Sequence, residues 1–285
     1  MTGTVTGTVT GTVTGTVTGT VTGTATRTST GAVTGRVLGR RLAPVLLGAA
    51  FLAAWQALVV GAGIEPYLLP SPTAIGAELV EVAPLVLQAS VATGTNVLVG
   101  MLVGAALAVA AAVVAARSRL VDAVVSPTAA ALAVMPVVAL APALNTMFGT
   151  TSTTPRRVVV AVVVFAPVFV NTLRGLRQVQ PVHRDLLRAY AASSGQLARV
   201  VTVPGAVPFL FTGLRIASST GVIAGLVAEY FGGLQNGLGT RITSAAANSA
   251  YARAWAFVLG AVLLGLAFYL VTLAAERLVA RRRGA

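Results

Sequence analysis

The side chains best suited to chemistry in this sequence are a few polar ones placed within long apolar runs. They are Asn96, Asn145, Asn171, Arg215 and Glu229. Amide and guanidinium groups bind small polar or anionic molecules, and polar groups inside a membrane tend to face a cavity or a partner. We therefore expect these residues to line a solute pathway. The alternatives are hydrogen bonds between helices for Asn96 and Asn171, snorkelling for Arg215 and solvation for Glu229.

Residues that the sequence lacks exclude several kinds of chemistry. There is no cysteine, so disulfides, thiol catalysis and cysteine-ligated zinc are excluded. The single histidine, His183, cannot form a multi-histidine metal site. All 20 basic residues are arginine, and a Walker A loop requires lysine, so ATP hydrolysis would need a separate chain. We see no triad or carboxylate cluster, and expect neither an enzyme nor a cofactor.

The composition predicts a membrane protein. Of the 285 residues, 56% are hydrophobic and 9% are charged, and the mean hydropathy is +0.87. Soluble domains carry about 25% charged residues. The net charge of +13 comes from arginines between apolar runs, which fits membrane topology better than nucleic-acid binding.

Charge-free intervals predict an all-α protein with six transmembrane helices, because a bilayer core needs about 20 apolar helical residues. The predicted spans are roughly 43–62, 91–115, 123–148, 158–173, 207–230 and 254–275. Pro127, Pro136 and Pro142 predict that the third span is broken or kinked. Gly100 and Gly104 form a GxxxG pair, for which packing within the chain is the expected use.

The segments outside these spans have their own patterns. Residues 1–35 contain a Thr-Gly-Thr-Val repeat and predict a disordered tail, or a start codon assigned too far upstream. The proline-rich segment 61–90 predicts an external crossing with a short helix capped by Thr73. Residues 277–285 form a basic tail.

Arginine placement predicts the orientation in the cell (plasma or inner) membrane. In the six-span topology, the larger group of arginines falls on one side of the membrane: Arg36, Arg40, Arg41, Arg117, Arg119, Arg174, Arg177, Arg184, Arg188, Arg199, Arg277, Arg281, Arg282 and Arg283. The other side has Arg156, Arg157, Arg241 and Arg253. The positive-inside rule then places both termini and the loop 174–206 in the cytoplasm.

The loop 174–206 contains the most informative polar stretch. From Pro181 onward, apolar residues recur at near-helical spacing between arginines, and Ser193-Ser194-Gly195 divides the pattern. We predict two short helices with a turn, followed by a return to the membrane at Pro204. Such a helix could dock a partner protein or lie flat on anionic lipid headgroups, and the residues alone favour neither.

The spacing in this loop resembles that of type I ABC importer permeases. Their cytoplasmic loop has Glu-Ala-Ala, three further residues, Gly, and Pro thirteen residues later. Here Asp185 falls on the Glu, Leu186 and Leu187 on the Ala pair, Ala191 on the Gly and Pro204 on the Pro. Ser193 lies between the last two. Since alanine lacks the conformational freedom of glycine, a left-handed turn is not expected at Ala191.

Flanking segments are similar to those of the nitrate/sulfonate/taurine permease group, in the same order over about residues 65–276. The similar segments are Tyr67–Pro72, Met135–Pro142 with Phe148-Gly149, Pro204–Pro208, Thr212–Arg215, Ala228–Tyr230 and Gly237–Gly239.

This resemblance implies a type I permease fold. The charge pattern divides the chain into a first helix and crossing segment over 36–90 and a permease core over 91–276. The resemblance also implies a homodimer, two cytoplasmic ATP-binding subunits docked on the loop, and an extracytoplasmic solute-binding protein. The implied solute is small and polar or anionic, like nitrate, sulfonates or taurine, and alternatively a pyrimidine or vitamin precursor.

A stand-alone secondary transporter or channel is the alternative class of protein, although the sequence shows neither acidic residues at the membrane midplane nor inverted repeats, which are typical of such carriers. A membrane scaffold is a third.

Overall fold

A computed structural model describes the backbone of residues 31–284 and the side chains of residues 43–136 and 139–282. Within 31–284 all regular secondary structure is helical, so the predicted all-α class is confirmed. The helices are α1 Gly31–Gly61, α2 Pro72–Glu81, α3 Ala83–Arg117, α4 Arg119–Val134, α5 Val137–Phe148, α6 Thr154–Arg177, α7 Pro181–Ala189, α8 Ser194–Leu197, α9 Val203–Tyr230, α10 Leu238–Ala247 and α11 Tyr251–Gly284.

Residues 1–30 of the predicted tail lie outside the described residues. Helix α1 begins at Gly31, so the last five residues of the predicted 1–35 segment are helical, because apolar residues begin to recur there at helical spacing. The chain divides into two compact units, residues 1–51 and 52–285. In the first unit, the structure describes only the first part of α1. The core and the sites belong to the second unit.

Within residues 31–284, five helical segments are long and apolar enough to cross a membrane: Ala43–Gly61, Ala83–Arg117, Thr154–Arg177, Ser194–Tyr230 and Tyr251–Arg282. Helices α4 and α5 form a sixth apolar pair that is bent by 104°. The bend falls at Met135-Pro136, where Met135 adopts the extended backbone conformation that a following proline favours. The predicted break or kink in this part of the chain is therefore present.

The fifth span begins earlier than predicted. Helix α8, a π-helical turn over Ala198–Thr202, and α9 follow one another without a break, so the second short helix expected in the loop is the start of this span. Pro204 is the second residue of α9, directly after the π-helical turn, and the helical run continues through it. The chain therefore enters the span without a separate turn at the proline.

Helix α6 lies at the centre of the second unit and packs most extensively on α3 and α9. Val97, Val160, Val164 and Phe169 are among the buried residues of this core. A Cβ at Gly100 would lie 2.7 Å from the carbonyl oxygen of Arg157, and one at Gly104 would collide with the backbone of Ala161. The GxxxG pair is therefore used for close packing within the chain, as expected.

Helix α2 shows where the cap prediction was wrong. Its N-cap is Ser71, whose hydroxyl accepts a hydrogen bond from the amide of Ala74 at 3.3 Å. Pro72 fixes the first helical position, so the cap must be the residue before it, and Thr73 lies inside the helix. The amide of Thr73 donates instead to Gln56 Oε1 at 3.2 Å.

Gly104→Ala and Gly76→Ala are expected to change stability in opposite directions. The first places a methyl group against Ala161, and such overpacking costs about 1–3 kcal/mol. The second adds a methyl group in open space within α2, where alanine is favoured over glycine by up to about 1 kcal/mol. Melting temperatures of the detergent-purified protein test this pair. An unchanged melting temperature in Gly104→Ala would contradict the packing described.

Candidate functional site

Helix α7 presents apolar side chains to its surroundings. It lies in the loop between α6 and α9, and its residues are exposed except for the half-buried Leu187. Val182 is 70% exposed, Leu186 53% and the following Tyr190 78%. Exposed apolar groups next to arginines are typical of a surface that a partner covers. We name the α7 end of the bundle, where α6 ends and α9 begins, the loop end, and the opposite end the far end.

Helix α7 ends in a Schellman motif centred on Ala191. The amide of Ala192 donates to Leu187 O and the amide of Ala191 donates to Arg188 O, both at 2.9 Å. Ala191 itself has a φ of 55°, so the expectation of no left-handed turn was wrong. The paired hydrogen bonds satisfy helix-terminal carbonyls and hold an alanine in a conformation that glycine adopts more easily. The turn that the family pattern implies is therefore present without glycine.

Ser193 starts the second part of the loop through a capping box. Its hydroxyl accepts a hydrogen bond from the amide of Gln196 at 3.3 Å, and Gln196 Oε1 accepts one from the amide of Ser193 at 2.7 Å. This reciprocal arrangement satisfies two amides at the helix start. The short connection between α7 and α8 is thus fixed at both of its ends.

Asp185 differs from most of the other acidic side chains. The paired acids are Glu78 and Glu81 with Arg253, Asp122 with Arg177, Glu229 with Arg156, and Glu276 with Arg215. Among the described residues, Asp185 and Glu65 have no ion pair. Asp185 is exposed on α7, so its charge is available to a partner.

Two ion pairs connect the loop to neighbouring helices. At the end of α6, the guanidinium of Arg177 lies 2.8 Å from Asp122 of α4 and donates to Ala115 O of α3 at 3.3 Å. In the first half of α9, Arg215 lies 3.4 Å from Glu276 of α11. These two pairs join α6 and α9, the helices on either side of the loop, to α4 and α11.

Three of the predicted pathway residues meet at the far end. Asn96 is buried and accepts a hydrogen bond from Arg157 Nε at 3.1 Å. Asn145 is buried and donates to Phe231 O at 3.2 Å. Glu229 is buried beside Arg156, with 3.6 Å between the charged atoms. Each of the three is engaged by groups of the chain itself.

Asn171 and Arg215 are not brought to that cluster. Asn171 lies 15 residues along α6 from Arg156, and Arg215 lies 14 residues along α9 from Glu229, so each is about 20 Å away along its helix. Asn171 is half-buried, and its amide nitrogen donates to Pro167 O at 2.8 Å. Its carbonyl oxygen has no hydrogen-bond partner among the described residues.

Sequence reasoning missed the partners of Glu229. They are Arg156, Thr93 and the backbone amide of Gly239. Thr93 and Glu229 are separated by 136 residues, so no local pattern indicates their contact. The one local signal was the pair Arg156 and Arg157 directly before an apolar run, but the arginine distribution across the membrane also explained that pair.

The comparisons agree with this architecture. Residues 100–284 match the family described as binding-protein-dependent transport system inner membrane component. The riboflavin transport system permease protein RibX of Chloroflexus aurantiacus is 32% identical over 196 residues, 68% of this chain and 72% of its own length. The taurine transport system permease protein TauC of Escherichia coli is 26% identical over 204 residues, 69% of this chain and 74% of its own.

A solved structure supports the fold. A chain in the crystal structure of an amino acid ABC transporter with histidines superposes with a TM-score of 0.56 at 15% identity, covering 70% of this chain and 95% of that chain. An all-helical multi-pass subunit with an exposed loop helix is the class that these observations define. The chain belongs to the binding-protein-dependent inner membrane components, the type I ABC importer permeases. It is a transport subunit and not an enzyme.

Ala191→Gly and Ala189→Gly are expected to change the loop in opposite directions. Glycine at 191 removes the cost of a left-handed alanine, about 1 kcal/mol, whereas glycine at the last residue of α7 lowers helix stability by about the same amount. Hydrogen exchange at the Ala192 amide should therefore slow about fivefold in the first variant and accelerate in the second. Faster exchange in Ala191→Gly would contradict the Schellman geometry.

Proposed function

We propose that the loop containing α7 docks a cytoplasmic ATP-binding subunit and transmits its motion to the membrane helices. The proposed docking residues are Asp185, Leu186, Leu187, Ala191, Ser193 and Pro204. The observation that carries the proposal is that α7 exposes apolar side chains and a carboxylate that has no ion pair within the part of the chain that the structure describes. A helix fitted into a groove of a partner would cover those side chains and pair that charge.

The proposed orientation places the loop end and both termini in the cytoplasm. Its support is the arginine distribution, since the loop-end connections carry Arg117, Arg119, Arg184 and Arg188. Of the arginines assigned to a side, 14 lie on the predicted cytoplasmic side and four on the other. In this orientation α7 faces the compartment that contains ATP.

Transmission is proposed to follow the two ion pairs at the loop. A push on α7 moves the end of α6 and the start of α9, to which the loop is covalently joined. The Arg177–Asp122 pair extends this displacement to α4, and the Arg215–Glu276 pair extends it to α11. Helices that move together in this way would alternate the access of a central cavity between the two sides.

The proposed assembly is a homodimer of this subunit with two ATP-binding subunits and an extracytoplasmic solute-binding protein. The family description supports a binding protein as a partner. A sequence without lysine cannot form a Walker A loop, which supports a separate ATPase.

The proposed solute is small and polar or anionic. The match to a taurine permease supports the nitrate, sulfonate and taurine class, and the polar Asn171 with its unbonded carbonyl oxygen is the proposed contact. A pyrimidine or vitamin precursor is the second candidate, favoured by the higher identity to a riboflavin permease. Binding assays with the cognate solute-binding protein, using taurine and riboflavin as probes, distinguish these candidates.

Asp185→Arg combined with Leu187→Asp is expected to release the ATPase. The double variant reverses the free charge and places a second charge among the apolar side chains of α7. Each of the two contact residues is expected to contribute more than about 1 kcal/mol to the binding free energy. Losing both should therefore reduce the amount of co-purified ATPase about tenfold or more. Affinity purification of the tagged permease from cells that express the cognate transport operon measures this.

Arg281→Glu combined with Leu278→Asp is the matched control. It also reverses one charge and places an acid at one exposed leucine, but near the end of α11. This control should retain the ATPase. Size-exclusion profiles establish that both variants are folded. Retention of the ATPase and of ATP-coupled uptake in the Asp185 and Leu187 double variant would contradict the proposed docking.

Asn171→Leu is expected to raise the KM for solute uptake about two- to tenfold, the effect of losing one neutral hydrogen bond. Asn248→Leu is the control, because Asn248 makes the same kind of bond to the carbonyl four residues earlier, Ser244, at 2.8 Å. Initial rates in proteoliposomes provide both constants. Equal KM values for the two variants and the parent would remove Asn171 from the pathway.

A further inference from the structure

The far end contains a buried ion pair that solute transport alone does not explain. Arg156 begins α6 and is 2% exposed, and Glu229 ends α9 and is 1% exposed. Thr93 of α3, which is fully buried, donates its hydroxyl hydrogen between the two carboxylate oxygens of Glu229, at 3.0 and 3.1 Å. Three long helices therefore meet at one carboxylate.

The same groups hold the connection between α9 and α10. The amide of Gly239 donates to Glu229 Oε2 at 2.8 Å, and the amide of Leu238 donates to Thr93 Oγ1 at 2.9 Å. From the other side, the guanidinium of Arg156 donates to Asn236 Oδ1 at 3.1 Å and to the carbonyl oxygen of Leu234. The whole connection is thus tied to helices α3 and α6.

Glycines in and next to this connection lie where other residues do not fit. A Cβ at Gly237 would collide with the carboxylate of Glu229. Gly239 has the same restriction, with Glu229 Cβ 2.8 Å from the position of its Cβ. Gly233 has a φ of +92°, a backbone conformation that favours glycine. Close approach of the backbone to Glu229 therefore requires glycine at 237 and 239, and the backbone conformation favours it at 233.

The carboxylate of Glu229 is buried and engaged by groups of the chain. It accepts hydrogen bonds from the Thr93 hydroxyl, whose one hydrogen lies between the two oxygens, and from the Gly239 amide. The guanidinium of Arg156 lies 3.6 Å from Oε1. A solute that bound here would have to open this packing.

We infer that Arg156 and Glu229 are positioning residues that keep the far ends of α3, α6, α9 and the α9–α10 connection together during transport, and that Glu229 is not a solute ligand. Removing one member of a buried pair leaves an uncompensated charge, whereas removing both avoids that penalty. The uptake measurements that test this inference rest on the proposed transport function, and the amide exchange measurements do not.

Three variants test the inference in the complete importer in proteoliposomes: Glu229→Gln, Arg156→Gln and the combination of both. Each single variant should lower the maximal uptake rate about tenfold or more, because each leaves one buried charge unpaired. The solute KM should stay within about twofold, because no solute contact is lost. The maximal uptake rate of the double variant should be at least about threefold higher than that of either single variant.

Arg253→Gln is the control. Its ion pairs with Glu78 and Glu81 join α2 and α11, with Arg253 40% exposed, and exposed pairs contribute little. Its uptake rate should match that of the parent.

Thr93→Val tests the inference if the charge variants do not fold, because this variant keeps both charges and removes only the hydroxyl. Hydrogen exchange at the Leu238 and Gly239 amides should then rise while exchange in the loop end stays unchanged.

The outcomes separate this inference from the proposed function. A large rise in KM confined to Glu229→Gln, with the rate unchanged, would make Glu229 a solute ligand and overturn the inference. Parent-like rates in both single variants would overturn it too, as would unchanged amide exchange in Thr93→Val. If the parent complex shows no ATP-dependent uptake, the proposed function fails, and the amide exchange measurements still decide the role of the ion pair.

Discussion

The structure depends on one constraint: a lipid bilayer offers no water to a polar group, so each polar group at that depth needs a partner within the protein. Helices satisfy the backbone, which is why the apolar segments of the described chain are helical. The few charged side chains near the spans are satisfied mainly in pairs. The Arg156–Glu229 contact is the most enclosed of these described ion pairs, and it determines where the glycines of the α9–α10 connection must lie.

The two ends of the bundle treat polar groups differently. At the far end, Glu229, Asn96 and Asn145 are buried and bonded to groups of the same chain. At the loop end, α7 leaves apolar side chains and Asp185 exposed. Polar groups that are bonded within the chain suit a region that holds helices together. Exposed apolar and charged side chains suit a surface that docks a partner. This difference agrees with a proposed partner at the loop end and a proposed positioning role at the far end.

Patterns that repeat along the chain allowed much of the fold to be predicted. The spacing of charges located the spans, and the prolines of the third span indicated that it is broken or kinked, because both are local properties of the sequence. Contacts between distant residues could not be predicted, as Thr93 and Glu229 illustrate. Ala191 was misjudged because two backbone hydrogen bonds outweigh the ordinary preference of alanine. Thr73 was misjudged because Pro72 fixes the helix start one residue earlier.

The uninterrupted helical run from Ser194 to Tyr230 has a mechanical consequence. Its 37 residues extend about 55 Å, well beyond a hydrocarbon core of about 30 Å. Glu229 anchors one tip of this rod, and the α7 connection joins the other. With the anchored tip as a fulcrum, a rotation of about 10° would carry the opposite tip through about 10 Å. When the run moves as one body, a small angular change becomes a stroke as large as the diameter of a helix.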